Sequence, residues 1–143
     1  MSPVPVYRAP MRSRRDDVEP FAAVERALTL GLCGMGEALD ERAVRRLERY
    51  AAVPQGALVW TRDVDGLTYL GRLGGQLRRD ESSVAVAVDL VHVRDCDWRP
   101  DPVPEHELPP AVSRTFARGG RNFQQIHHPD VSRQSQNIWD RHA

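Results

Sequence analysis

The sequence predicts an α+β domain, a small mixed β-barrel with flanking helices. Three observations predict it. A hairpin stands at its centre, GALVWTRDVDGLTYLGRL over 56–73, in which Ala57, Val59 and Thr61 alternate with Leu58, Trp60 and Arg62. Asp65-Gly66 supplies the turn, because glycine takes a positive φ without steric cost. Apolar residues fall at both parities of this hairpin, so both of its faces are covered, as in a barrel or sandwich. Around it, short period-two stretches alternate with stretches of helical period. The chain of 143 residues is one domain by length, 1–143, and its 41% apolar content supports a core of modest size.

The elements follow in order. Val4 to Ala9 is a first strand, and Pro3, Pro5 and Pro10 make it short or an edge. Arg12 to Asp17 is a charged loop, and Asp16 or Asp17 caps a helix carrying Val18, Phe21, Val24, Leu28 and Leu32 on one face. That helix ends near Gly31. Leu32 to Leu39 reads as a strand with two glycines, which mark either a bulge or a close approach by a ligand. Asp40 caps a second helix with Ala43, Val44, Leu47 and Tyr50 or Ala51 on its apolar face, and Arg42, Arg45, Arg46 and Arg49 mostly on the other, which is either a solvated face or a phosphate contact. After the hairpin, 74–83 is a loop, and 84–88 and 90–98 are two further strands. Five prolines between 100 and 110 form a rigid connector, and Pro109 or Pro110 starts a short helix through Phe116. Gly119-Gly120 breaks it, 122–126 is a last short strand, and 131–141 a closing helix that docks through Ile138 and Trp139.

Net charge is zero, from 20 basic and 20 acidic residues, which argues against duplex binding by bulk charge but leaves room for a local patch. Every basic residue is Arg, whose planar fork suits phosphates and base edges. Cys33 and Cys96 make neither a disulfide framework nor a zinc spacing, and no cofactor motif is present: Gly34-Met35-Gly36 lacks the third glycine of a dinucleotide loop. No leader segment is seen, and no apolar run approaches the roughly 18 residues of a membrane span, so the expectation is a cytoplasmic protein with no membrane contact. His127 and His128 are adjacent and face opposite ways on a strand, a poor pair for one metal. No catalytic constellation emerges, and the expected protein is not an enzyme. Binding signatures are better, because aromatics sit beside Arg on strands: Tyr7-Arg8, Trp60 with Arg62, Tyr69 with Arg72, Trp98-Arg99 and Arg121 with Phe123. That pairing suits stacking of a base and neutralisation of its phosphate, although strand aromatics are also common core residues.

Several segments, taken in order, carry a resemblance. VYRAPMRSRRDDVEPFAAVERALTLGL, with its Arg12-Ser13 loop and Asp16-Asp17-Val18 helix start, is followed by LCGMG, AVPQGALVWTR, YLGRLGG, VHVRDCDW and LPPAVSRTFARGGRNFQQI. This series resembles the PUA-like group of barrels, which includes the EVE and YTH domains, and most of all bacterial EVE-like proteins. The resemblance implies a small barrel with a pocket between the first helix and the strands that takes a modified or flipped base. YTH relatives read N6-methyladenine in an aromatic cage; here Cys33 stands where a cage Trp would.

The reading is therefore a non-catalytic nucleic-acid-binding module, for DNA or RNA, with no cofactor. A base enters beside Gly34, Met35 and Gly36, and Trp60 or Tyr69 stacks on it. Ser13 and Asn122 or Gln124 bond its edge, while Arg8, Arg12, Arg14 and Arg121 hold phosphate. The alternative is a protein-interaction or small-molecule-sensing module in a bacterial defence or regulatory locus, working through the Pro-rich connector and the Trp139 helix. A third reading is a hydrolase using His127 or His128.

Overall fold

The computed structural model describes residues 3–142. Its strands are β1 (Val6–Arg8), β2 (Leu32–Met35), β3 (Leu58–Arg62), β4 (Thr68–Leu73), β5 (Arg78–Arg79), β6 (His92–Trp98) and β7 (Gln124–Gln125). Its helices are α1 (Ala22–Leu30), α2 (Glu41–Ala52), α3 (Ser83–Val88), α4 (Pro110–Ala117) and α5 (Val131–Arg141). The strands form one curled, half-barrel sheet in the order β2-β6-β4-β3-β1-β7, with β5 paired to His92 and Val93 of β6, which also pair with β2. Among the described residues only the β1–β3 pair is parallel. No helix among the described residues is long and apolar enough to cross a membrane.

The central hairpin explains the double parity of its apolar residues. Val6, Leu58, Trp60 and Leu70 point into a core against α4 and α5, where Val112, Ile138 and Trp139 meet them. Val59 and Leu73, on the alternate positions, point into a second core shared with α1, β2 and Tyr50 of α2. Two helical layers thus cover a sheet that has no wet face at its middle. The turn itself is held by Asp63, whose carboxylate accepts from Asp65 N (3.0 Å) and Leu67 N (2.9 Å), with Gly66 at φ 80°.

Five expectations are corrected. Residues 84–88, expected as a strand, are the helix α3: Ser82 accepts from Ala85 N at 3.2 Å, and Asp89 closes the helix at φ 56°. Its Val/Ala alternation buries Ala85 and leaves Val84 and Val86 exposed, so period two here reflects composition and not a buried strand face. The segment expected as a loop contributes β5. Neither Asp16 nor Asp17 caps α1, which starts at Ala22 with Phe21 at its N-cap; Pro20 biases the residue before it away from helix, and Asp17 pairs with Arg15 at 2.7 Å instead. Finally, β2 stops at Met35, and Val44 of α2 faces solvent. Asp40 does cap α2, accepting from Ala43 N at 2.8 Å.

Candidate nucleic-acid interface

The chain leaves β1 with its backbone turned at Met11 (φ 52°), a left-handed conformation that sends the 12–15 loop across the end of β2. There Ser13 Oγ accepts from Arg15 N (3.0 Å) and donates to Asp89 Oδ2 (2.5 Å). The other oxygen of Asp89 accepts from Glu37 N at 3.0 Å. One carboxylate therefore ties together the 12–15 loop, the exit of β2 and the end of α3. Gly36 lies directly over it: a Cβ there would sit 2.5 Å from Oδ1, so any side chain at this position must displace the carboxylate.

A third wall is the 121–123 segment that precedes β7. Asn122 Oδ1 accepts from Arg14 Nη2. Phe123 stacks on Tyr7 with ring centroids 4.8 Å apart and meets Tyr50 edge-on at 4.7 Å. The start of α2 closes the fourth side with Asp40, Ala43 and Arg46. Between these walls lies a cavity of about 210 Å³ with Asp89 in its lining. It adjoins a groove of about 370 Å³ along β7, since Arg46, Asn122 and Phe123 line both, and Arg49, Gln124 and His127 continue it.

Charge at the rim is mainly positive: Arg12, Arg14, Arg15, Arg46 and Arg121 line the cavity. Of the anions there, Asp40 is spent on its helix cap and Glu37 on Arg79, which grips it through two bonds of 2.7 and 2.6 Å. That grip holds the Glu37 carboxyl below the ordinary carboxylate range. His92 lies 3.5 Å from Glu37, yet burial holds its imidazole below the usual value. The unfolded chain then takes up the proton first as pH falls, so the contribution of this residue to stability is full above about pH 6.5 and declines below it. Chemical denaturation should show a lower midpoint at about pH 5.5 than at about pH 7, and His92→Asn should flatten that difference; an unchanged slope in the variant would assign the loss elsewhere.

Seven of the candidates read from residue type and position meet at this cavity: Arg12, Ser13, Arg14, Met35, Gly36, Arg121 and Asn122. Five do not. Gly34 is packed against the β6 backbone at His92 and Val93, where its missing side chain permits strand approach and not ligand approach. Trp60 is fully buried in the α4–α5 core, its Nε1 donating to Ser135 Oγ at 3.1 Å, so it offers no face for stacking. Tyr69 sits opposite Thr61 on β4, beside Asp63, outside the cavity. Gln124 is exposed in the adjoining groove. Arg8 is buried outside this cavity, with Nη1 bonded to Thr115 O and Gly119 O at 3.0 and 2.7 Å and Nε to Asn122 O at 3.3 Å, so two of its three nitrogens are spent on carbonyls. Sequence reasoning does not find Asp89; it names Phe123 only as an aromatic beside Arg121, and Arg46 only as one of a run on the outer face of the second helix. The signal for Asp89 is present, a single acid interrupting the apolar run AVAVDLV.

Trp139, expected as a working surface in the alternative reading, is buried under the Arg99 guanidinium, 3.4 Å from the ring centroid. His127 is exposed, and His128 Nδ1 accepts from Asp130 N at 3.2 Å; no cluster of three or more His, Cys, Asp or Glu suited to a metal occurs among the described residues. Burial pushes the Cys33 thiol up to about 11, the opposite of what a nucleophile needs.

No family model and no curated protein matches the chain. Among solved structures it is similar to the YTH domain of the Zygosaccharomyces rouxii MRB1 protein in complex with N6-methyladenosine RNA, with a TM-score of 0.51, over 99% of this chain and 90% of that one. The fold is YTH-like. Identity across that alignment is 16%, so the likeness is one of architecture. The YTH-like sheet and helices account for nearly the whole chain, with the cavity at the meeting of the β1–α1 loop, β2 and the strand before α5.

Proposed function

We propose that this YTH-like domain, a PUA-like barrel of the EVE kind, binds single-stranded RNA and takes one base, modified or flipped, into the Asp89 cavity without doing chemistry on it. The observation that carries this reading is the cavity itself: a recess with fixed hydrogen-bonding groups on its floor and an arginine rim. The solved structure it resembles is a domain in complex with N6-methyladenosine RNA, which favours RNA over DNA as the partner. Single-stranded nucleic acid suits the site because an unstacked base can enter a recess that a duplex cannot offer one to. Ser13, Met35, Gly36 and Asn122 would surround the base, Arg12, Arg14, Arg46 and Arg121 would hold its phosphates, and the groove past Gln124 would take the neighbouring nucleotides.

The test is a titration with single-stranded RNA and DNA of one sequence, carrying an unmodified or modified central base, across a salt series. Each phosphate contact should contribute about −0.7 to the slope of log K against log salt. Arg121→Ala should flatten the slope by about that amount while leaving the unfolding midpoint in place. Absence of binding at low salt, where phosphate contacts are strongest, would refute the proposal.

A further inference from the structure

We infer that the cavity selects a guanine-class base, one whose Watson–Crick edge presents two adjacent N–H donors. This rests on the base-reading proposal above and names its substrate. The ground is the hydrogen-bond inventory of Asp89. An ionised carboxylate accepts only, at about four lone-pair sites. Ser13 Oγ–H and Glu37 N–H take one on each oxygen. Asp89 is 7% exposed, lines the cavity, and forms no ion pair among the described residues. Its remaining acceptor sites can therefore be filled only by water or by what enters the recess.

Across the same cavity, Asn122 gives its amide oxygen to Arg14, which donates only. Its Nδ2 then remains as a donor, and Nδ2 has no protein partner among the described residues. The recess thus offers an acceptor-only floor and a donor on its wall. Guanine answers with N1–H and N2–H for the carboxylate and O6 for the amide. Adenine and N6-methyladenine turn N1, an acceptor, toward the same edge, and cytosine turns N3. Either sets lone pair against lone pair on a buried carboxylate, and sites built to bond N–H groups reject analogues that lack them.

The experiment compares one RNA oligomer carrying a central guanine, inosine, adenine or N6-methyladenine, on the wild type and on Asp89→Asn. Guanine should bind at least about tenfold tighter than either adenine, and inosine, which lacks the 2-amino group, should fall between. The amide introduced by Asp89→Asn can still accept from Glu37 N and meet Ser13 Oγ, so the variant should fold and lose the guanine preference. Should it unfold instead, the guanine–inosine ratio on the wild type decides alone. Equal binding of guanine and inosine, or tighter binding of an adenine, overturns the donor-edge inference and leaves base reading intact. No binding of any oligomer overturns both.

Discussion

An Arg8→Met protein should lose about 3 kcal/mol of stability and most of its RNA affinity, with the salt dependence of the remaining binding unchanged. Arg8 lies at the end of β1, and burial pushes its guanidinium below the usual value, with Arg118 adding to the shift. What keeps it charged is carbonyl oxygen: Thr115 O in the last turn of α4, Gly119 O just past it, and Asn122 O beyond. The C-terminal end of a helix carries partial negative charge, so a cation there is favoured. Gly120 accommodates the head group, since a Cβ at that position would sit 2.6 Å from Nη2. The clamp ends at Asn122, so it sets where Arg121, Asn122 and Phe123 stand. Methionine keeps the apolar stem but leaves three carbonyls without a donor, each costing about 1–3 kcal/mol if it stays buried. If Arg8 contacted phosphate instead, its loss would flatten the salt slope and leave the melting temperature nearly untouched. Paired denaturation and salt titrations separate the two.

Gly36→Ala should fold, with a loss of about 1–3 kcal/mol, and bind RNA at least about tenfold more weakly. The new methyl must displace the Asp89 carboxylate, because the backbone before it is held by the pairing of Met35 with His92. Moving Asp89 breaks its bonds to Ser13 and Glu37 together, so the loop, the strand exit and α3 come apart at the cavity floor. Gly34→Ala is the control. Its Cβ would meet the His92 backbone within β-sheet pairing, so it should destabilise the sheet as a whole. A Gly36→Ala protein with wild-type affinity would show that the base enters elsewhere.

Much of the fold is legible in the sequence because it rests on local rules. The Asp40 cap, the Pro110 helix start, the Gly66 turn and the 131–141 helix each depend on residues within a few positions of one another. The departures share a different cause. At 84–88 alternation alone does not tell a buried strand from a short helix, since the deciding contacts are the Ser82 cap and the turn at Asp89. Trp60 and Arg8 suggest binding groups by residue type alone. A tryptophan on a strand and an arginine beside an aromatic have the same local appearance whether they face a ligand or the interior.

Of the proposed interface, the loop with Arg12, Ser13 and Arg14, the Met35-Gly36 exit and the Arg121-Asn122 turn are legible as segments, because charge and glycine stand out in a run. By itself the sequence determined an alternating chain of short strands and helices around one two-faced hairpin, and a lysine-free set of cations. The tertiary structure alone decided which arginines are spent on carbonyls, as Arg8 is and as Arg94 is at Tyr50 O and Val53 O, and which remain at a rim. It alone brought Asp89 under Gly36, 53 positions away in the chain. The physical reason is that burial and hydrogen-bond partners at such separation are set by packing of the two helical layers on the sheet, and no period or propensity within a window encodes them.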